Sequence, residues 1–188
     1  MSKFSVCVFC GARSGTKSSY TQCADDAGRM IATNGWRLVY GAGDVGLMGT
    51  TARSAQKHGA ETLGVIPLHL MKMEVGKRDL SQFIATENMH ERKKVMYMNS
   101  DAIVVLPGGA GSLDEFFEVL TWRQLGLHEK PIILISTDGY WQPLMDLMAH
   151  VVAEGFAGQN TIDFITVAET VDQAEAFLRE AARTVAVE

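Results

Sequence analysis

Cysteine is scarce in this chain and long apolar runs are missing from it. Three cysteines, Cys7, Cys10 and Cys23, are an odd number among 188 residues, and a chain of that size can build a core without covalent staples. A disulfide framework is not the organising principle, and a reducing, cytoplasmic setting is expected. Cys7 and Cys10 lie three apart on one apolar run. That offset sends strand side chains to opposite faces, and no second pair accompanies them, so zinc is not expected. No apolar stretch reaches the roughly 20 residues of a membrane-spanning helix, and Met1 to Cys10 lacks the basic-then-apolar layout of a secretory leader. Positive charge is not in excess either. Seventeen basic residues against 22 acidic ones give a net charge of −5, which argues against nucleic acid or a membrane surface as partner and leaves room for a local basic site. His58, His69, His90, His128 and His150 show no ligand spacing, and no Gly-x-Ser-x-Gly elbow occurs. Neither a metal nor a serine nucleophile is expected.

What is present is the composition of a folded globule, 47% apolar and 21% charged. Apolar runs at 5–10, 37–40, 62–66, 83–86, 102–106, 131–135 and 164–167 alternate with helical stretches near 20–33, 48–58, 89–99, 112–124, 141–154 and 171–183. Runs such as AIVVL and PIILI are apolar throughout, the pattern of strands buried on both faces. The alternation predicts one doubly wound, Rossmann-like α/β domain of three layers with a mostly parallel sheet, spanning residues 1–188. Ligands of such folds bind beyond the carboxyl ends of the strands.

Two of the loops there are rich in glycine. Gly41, Gly43 and Gly46, in GAGDVGLMG after the strand RLVY, fit Gly-x-Gly-x-x-Gly. A dinucleotide site also needs an acid at the end of the next strand, which here reads Gly64-Val65-Ile66-Pro67. No Lys-Ser or Lys-Thr pair follows the glycines, which excludes a Walker A loop. A glycine turn that only packs strand against helix stays open for this loop. After AIVVL comes Pro107-Gly108-Gly109-Ala110-Gly111-Ser112, where glycines permit close approach and the following helix start offers amides and a positive dipole end to an anion. Ser112 and Glu115 also fit a capping box, as do Ser19 with Gln22 and Thr170 with Gln173. For the last two pairs capping suffices. At Ser112 three glycines exceed what capping requires, and a phosphate cradle is favoured.

Two charges stand among apolar neighbours. Glu115 shares a helix side with Val119 and Trp122, and is expected half sheltered at the mouth of the cradle. Arg92 groups with Met89, Val95 and Met96; it either pairs with an anion or snorkels to solvent. Lys93 and Lys94 read as solvated.

Together FCGARSG, YGAGDVGLMG, MHERK, PGGAGSLDE, WRQLG and DGYW resemble the LONELY GUY-type family of cytokinin riboside 5′-monophosphate phosphoribohydrolases. The resemblance covers most of the chain. It implies that Arg92 and Glu115 form the catalytic pair, and that Gly108, Gly109, Ala110, Gly111 and Ser112 hold the substrate phosphate. Gly41 and Gly43 would line the same pocket, with Glu87, Met89 and Lys93 as further substrate contacts. Ser112 replaces the family's threonine and keeps its hydroxyl. FCGARSG departs from the usual Gly-Ser-Ser run, which leaves the role of Arg13 open. The implied reaction is hydrolysis of the N-glycosidic bond of AMP or an N6-substituted AMP, without cofactor, in a homodimer. Members have also been labelled lysine decarboxylase-like, but pyridoxal phosphate needs a Schiff-base lysine, and none sits in an evident cofactor setting. A nucleotide-sensing module, a phosphoribosyl or deoxyribosyl transferase and an NAD-dependent oxidoreductase are the competing readings.

Overall fold

In a computed structural model, which describes residues 3–71 and 79–185, the apolar runs become seven strands of one sheet. They are β1 (Ser5–Phe9), β2 (Arg37–Tyr40), β3 (Glu61–Pro67), β4 (Gln82–Thr86), β5 (Ala102–Val105), β6 (Ile132–Ile135) and β7 (Ile165–Ala168). Every neighbouring pair is parallel. The order is β4-β3-β2-β1-β5-β6-β7, so the winding reverses between β1 and β5. Loops leaving these two strands diverge to opposite sides and open a crevice at their carboxyl ends.

The helices are α1 (Ser18–Thr33), α2 (Gly46–Lys57), α3 (Met89–Met98), α4 (Ala110–Gln124), α5 (Gln142–Ala153), α6 (Asn160–Asp163) and α7 (Val171–Val185). Strand alternation feeds two cores. Val6, Val8 and Cys10 face α1, α2 and α7, whereas Cys7 and Phe9 face α3, α4 and α5. The cysteines three apart therefore lie in different layers, as strand geometry requires. Residues α1 and α2 bring together are small. A methyl on Gly28 would overlap the Thr51 carbonyl, so glycine there is demanded by helix–helix approach. Among the described residues no helix is long and apolar enough to cross a membrane.

Of the two pairs read as caps, one differs in the structure. Helix α1 starts after Lys17, and the Ser19 hydroxyl donates to Asp138 instead of closing a capping box. Helix α4 starts after Gly109, which puts Ser112 inside the first turn and leaves no side-chain cap there. Thr170 does cap α7, its Oγ1 accepting from the Gln173 N–H at 3.2 Å.

The far end of α4 is pinned by His128, whose Nε2 donates to the Val119 carbonyl (2.9 Å) while Nδ1 accepts from the Lys130 N–H (3.1 Å). The second bond requires the neutral ring. Burial, then the Arg123 and Lys130 cations, hold its pKa below the usual 6.5 against the upward pull of the Val119 bond. Above pH 6.5 folded and unfolded rings are both neutral; below it the unfolded chain takes a proton that the folded ring refuses, and stability falls with pH. Unfolding free energies at pH 7.5 and 5.5 are expected to differ accordingly, by at most about 1.4 kcal/mol per pH unit for this one group. The difference should shrink in His128→Gln; an unchanged difference would mean that other groups carry it.

Candidate active site

A cavity of about 500 Å³ opens at the crevice between β1 and β5. One wall is the loop after β1, from Cys10 to Gly15, and the facing wall is the loop after β5 with the first two turns of α4. The loops are tied to each other: the Gly11 N–H donates to the Pro107 carbonyl at 3.0 Å, and the Tyr140 hydroxyl donates to the Gly108 carbonyl at 2.6 Å. Tyr140 is held in turn by edge contact with Tyr20, both rings lining the cavity. Among the described residues the cavity's charged lining is Arg13, Arg92 and Glu115.

The α4 end of the cavity has the form of an anion cradle. The first helical bond runs from the Leu113 N–H to the Gly109 carbonyl, so the amides of Ala110, Gly111 and Ser112 precede it at the positive end of the helix. A methyl group on Gly109 or Gly111 would meet nothing within 4 Å, and neither residue needs positive φ. The fold therefore does not require glycine at either place. Their open backbone leaves room for a ligand to approach closely. Gly108 is different, because a Cβ there would overlap Ser112 and crowd the Gly11 amide.

Arg92 is drawn fully inside rather than snorkelling, at 4% exposure. Its Nη2 donates to the Gly41 carbonyl (2.8 Å), Nε donates to the Val65 carbonyl (3.1 Å), and Nη1 faces the Met89 sulfur. These carbonyls lie just past β2 and near the end of β3, so the guanidinium spans two strand ends and presents itself to the cavity. Glu115 is also buried, at 9% exposure, deeper than the half-sheltered position expected. Both residues line the same cavity.

Several candidates fall elsewhere. Gly41 does not line the cavity; it seats Arg92, since a Cβ there would overlap the guanidinium. Gly43 is buried beside it, outside the lining. Gly46, at φ +57, packs against the Ala12–Arg13 backbone, and the Leu47 N–H is taken by the Gly11 carbonyl. This loop thus builds the site from behind, which is the packing role left open for it. Ala42, at φ 59, provides its turn. Glu87 is exposed and away from the cavity, its backbone N–H donating to Glu91, which together with Asn88 caps α3. Ala110 is exposed outside the lining. Lys93 is neither solvated nor in the lining: it is buried against Asp114 and Glu118. Met89, Gly108, Gly109, Gly111 and Ser112 do line the cavity. Sequence reasoning named none of Tyr20, Leu47, Met48 and Leu70 as site residues, although YGAGDVGLMG contains Leu47 and Met48; FCGARSG and DGYW pointed toward Gly11–Gly15 and Tyr140. The Cys10 thiol lines the cavity too, but burial and then the Glu115 charge push its pKa far up, so it stays protonated.

The family model described as "Possible lysine decarboxylase" matches residues 48–178. The chain is 42% identical, over 92% of its own length and 80% of the relative's, to a cytokinin riboside 5′-monophosphate phosphoribohydrolase of Arabidopsis thaliana. It is likewise 42% identical to one of Rhodococcoides fascians, over 93% and 89% of the two chains. Among solved structures, the molybdenum cofactor carrier protein of Chlamydomonas reinhardtii superposes with a TM-score of 0.72 at 22% identity, covering 97% and 99% of the chains. The molybdenum cofactor binding protein of Rippkaea orientalis superposes with 0.73 at 21%, covering 96% and 98%. At such identity these two share the fold alone. The decarboxylase description finds no chemistry in the cavity, where no lysine among the described residues stands ready for a Schiff base.

Glycines of the two loops should respond oppositely in denaturant unfolding. Gly41→Ala, which displaces a buried guanidinium, is expected to cost about 1–3 kcal/mol. Gly109→Ala should stay within about 0.5 kcal/mol of the parent, and Gly111→Ala, inside a helix, should gain up to about 1 kcal/mol. A large loss at Gly109 would make that glycine structural.

Proposed function

The chain belongs to the LONELY GUY-type family of phosphoribohydrolases, and from that premise we propose that it hydrolyses the N-glycosidic bond of a nucleoside 5′-monophosphate. AMP or an N6-substituted AMP is cleaved to the free base and ribose 5-phosphate. The observation that carries this reading is the juxtaposition of a helix start bearing two glycines the fold does not need with buried Glu115 and Arg92 lining one cavity.

The chemistry follows from where charge develops. Breaking the bond from C1′ to the base nitrogen leaves positive charge on the ribose, and a carboxylate near that carbon lowers the barrier. Glu115 serves as that carboxylate and orients the water that adds to C1′, while the departing base takes up a proton. The 5′-phosphate, remote from the bond broken, rests on the amides of Gly111 and Ser112 with the Ser112 hydroxyl, and its binding energy holds the anomeric carbon against Glu115. Arg92 balances the buried carboxylate and the phosphate, its orientation set by the two strand-end carbonyls.

A homodimer is part of the same reading. Met98, Leu125, Leu147 and Phe156 all expose apolar surface, and all lie on or next to the helices of the α3–α5 layer. A patch of that kind suits a second copy of the chain. Three buried, unpaired thiols suit a reducing cytoplasm.

Incubation with AMP should release adenine and ribose 5-phosphate, and adenosine should turn over slower by on the order of 10²-fold or more. Equal rates on the two would remove the phosphate cradle. Binding without release would make the protein a sensor, and a requirement for an acceptor base would make it a transferase. Glu115→Gln should fold normally and lose nearly all turnover, and Gly109→Ala, whose methyl stands in the phosphate's approach, should weaken AMP binding without a matching loss of stability.

A further inference from the structure

Helix α3 fully buries three residues, Arg92, Lys93 and Met96, two of them cations, and packs Val95 and Tyr97 partly against the same core. One methionine supplies only about 1.5–3 kcal/mol of apolar burial. Beside the edge contact of the Tyr97 ring with Trp122 of α4, the placement of α3 rests on directional polar contacts. Arg92 makes those toward β2 and β3. Lys93, one position on and so about 100° around the helix, turns to α4: its Nζ lies 3.0 Å from Asp114 Oδ2 and 3.1 Å from Glu118 Oε2. Asp114 and Glu118 are four apart on one side of α4, where like charges repel unless a cation stands between them. The Lys93 side chain is only 8% exposed and that of Glu118 22%. Burial alone would lower the lysine pKa, but the hydrogen bond to Asp114 and the charge of Glu118 outweigh it and the net displacement is upward. Lys93 thus stays charged in the fold. It joins the residue following Arg92 to the residue preceding Glu115.

We infer that Lys93 is a positioning residue: by bridging Asp114 and Glu118 it fixes α3 on α4 and sets Arg92 and Glu115 against each other across the cavity, without touching the ligand. This rests on the assignment of Arg92 and Glu115 to the reaction. It replaces the role of substrate contact that the sequence suggested for Lys93. A tether of this kind acts on geometry, and small misplacements of reacting groups are costly in turnover rather than in binding.

The test is a set of steady-state measurements on AMP with Lys93→Met, Lys93→Arg and Glu118→Gln, together with amide exchange along Met89–Met98. Lys93→Met is expected to lower kcat by about 10- to 100-fold while KM stays within about threefold. Lys93→Arg, which can still bridge two carboxylates, should recover kcat to within about threefold of the parent. Combining Lys93→Met with Glu118→Gln should cost no more than Lys93→Met alone, because both cut one network. A rise in KM at unchanged kcat would make Lys93 a substrate contact and overturn the inference, as would unchanged kinetics. Should Lys93→Met fail to fold, Glu118→Gln carries the same kcat-against-KM test. If the parent protein releases no base, the proposed reaction fails, yet the tether is still read by exchange. Faster exchange in α3 of the variant supports the tether, and parent-like rates refute it.

Discussion

The guanidinium of Arg92 lies in the protein interior, bonded to carbonyls at the ends of two neighbouring strands. A buried cation is costly unless its donors are met and its charge balanced. That cost is offset by backbone carbonyls that would otherwise need partners of their own, and the result is rigid: the planar fork is seated on the sheet, the stiffest part of the fold. Gly41 has no side chain because the guanidinium occupies that space. Asn88 and Glu91 cap the helix that delivers the arginine, and Lys93 secures it to α4. The same helix is held by the Tyr97–Trp122 ring contact and by the bonds of its two buried cations.

The two glycine loops, similar as strings, do opposite work. The loop after β2 supports the site from behind; its glycines admit Arg92 and the backbone of the loop after β1. The loop after β5 faces the cavity, and Gly109 and Gly111 have open space where a side chain would stand. A glycine whose Cβ would overlap protein atoms, or whose φ is positive, is needed by the fold; Gly109 and Gly111 meet neither condition. That distinction separates packing from binding more sharply than the Gly-x-Gly-x-x-Gly pattern, which occurs here in the supporting loop.

Legibility varied with how local the cause was. Strands β5 and β6 could be read from AIVV and IILI because burial on both faces leaves no polar position. The three-layer parallel architecture followed from alternation. Helix α6, four residues long, carries no period to detect. Ser19 looked like a cap, but its hydroxyl is claimed by Asp138, 119 residues away. Lys93 looked solvated because its partner Asp114 sits 21 residues on, on another helix.

The sequence alone pointed to the family and put forward Arg92, Glu115 and Gly108–Ser112 as candidates, since each motif lies within a short span whose chemistry is local. The depth of Arg92, the burial of Lys93, the service of Gly41 behind the cavity and the closure of its walls by Tyr140 belong to the tertiary structure. Each depends on atoms brought together from distant strand ends and helices. The sheet's reversal between β1 and β5 places those ends side by side, and no window of residues contains that reversal.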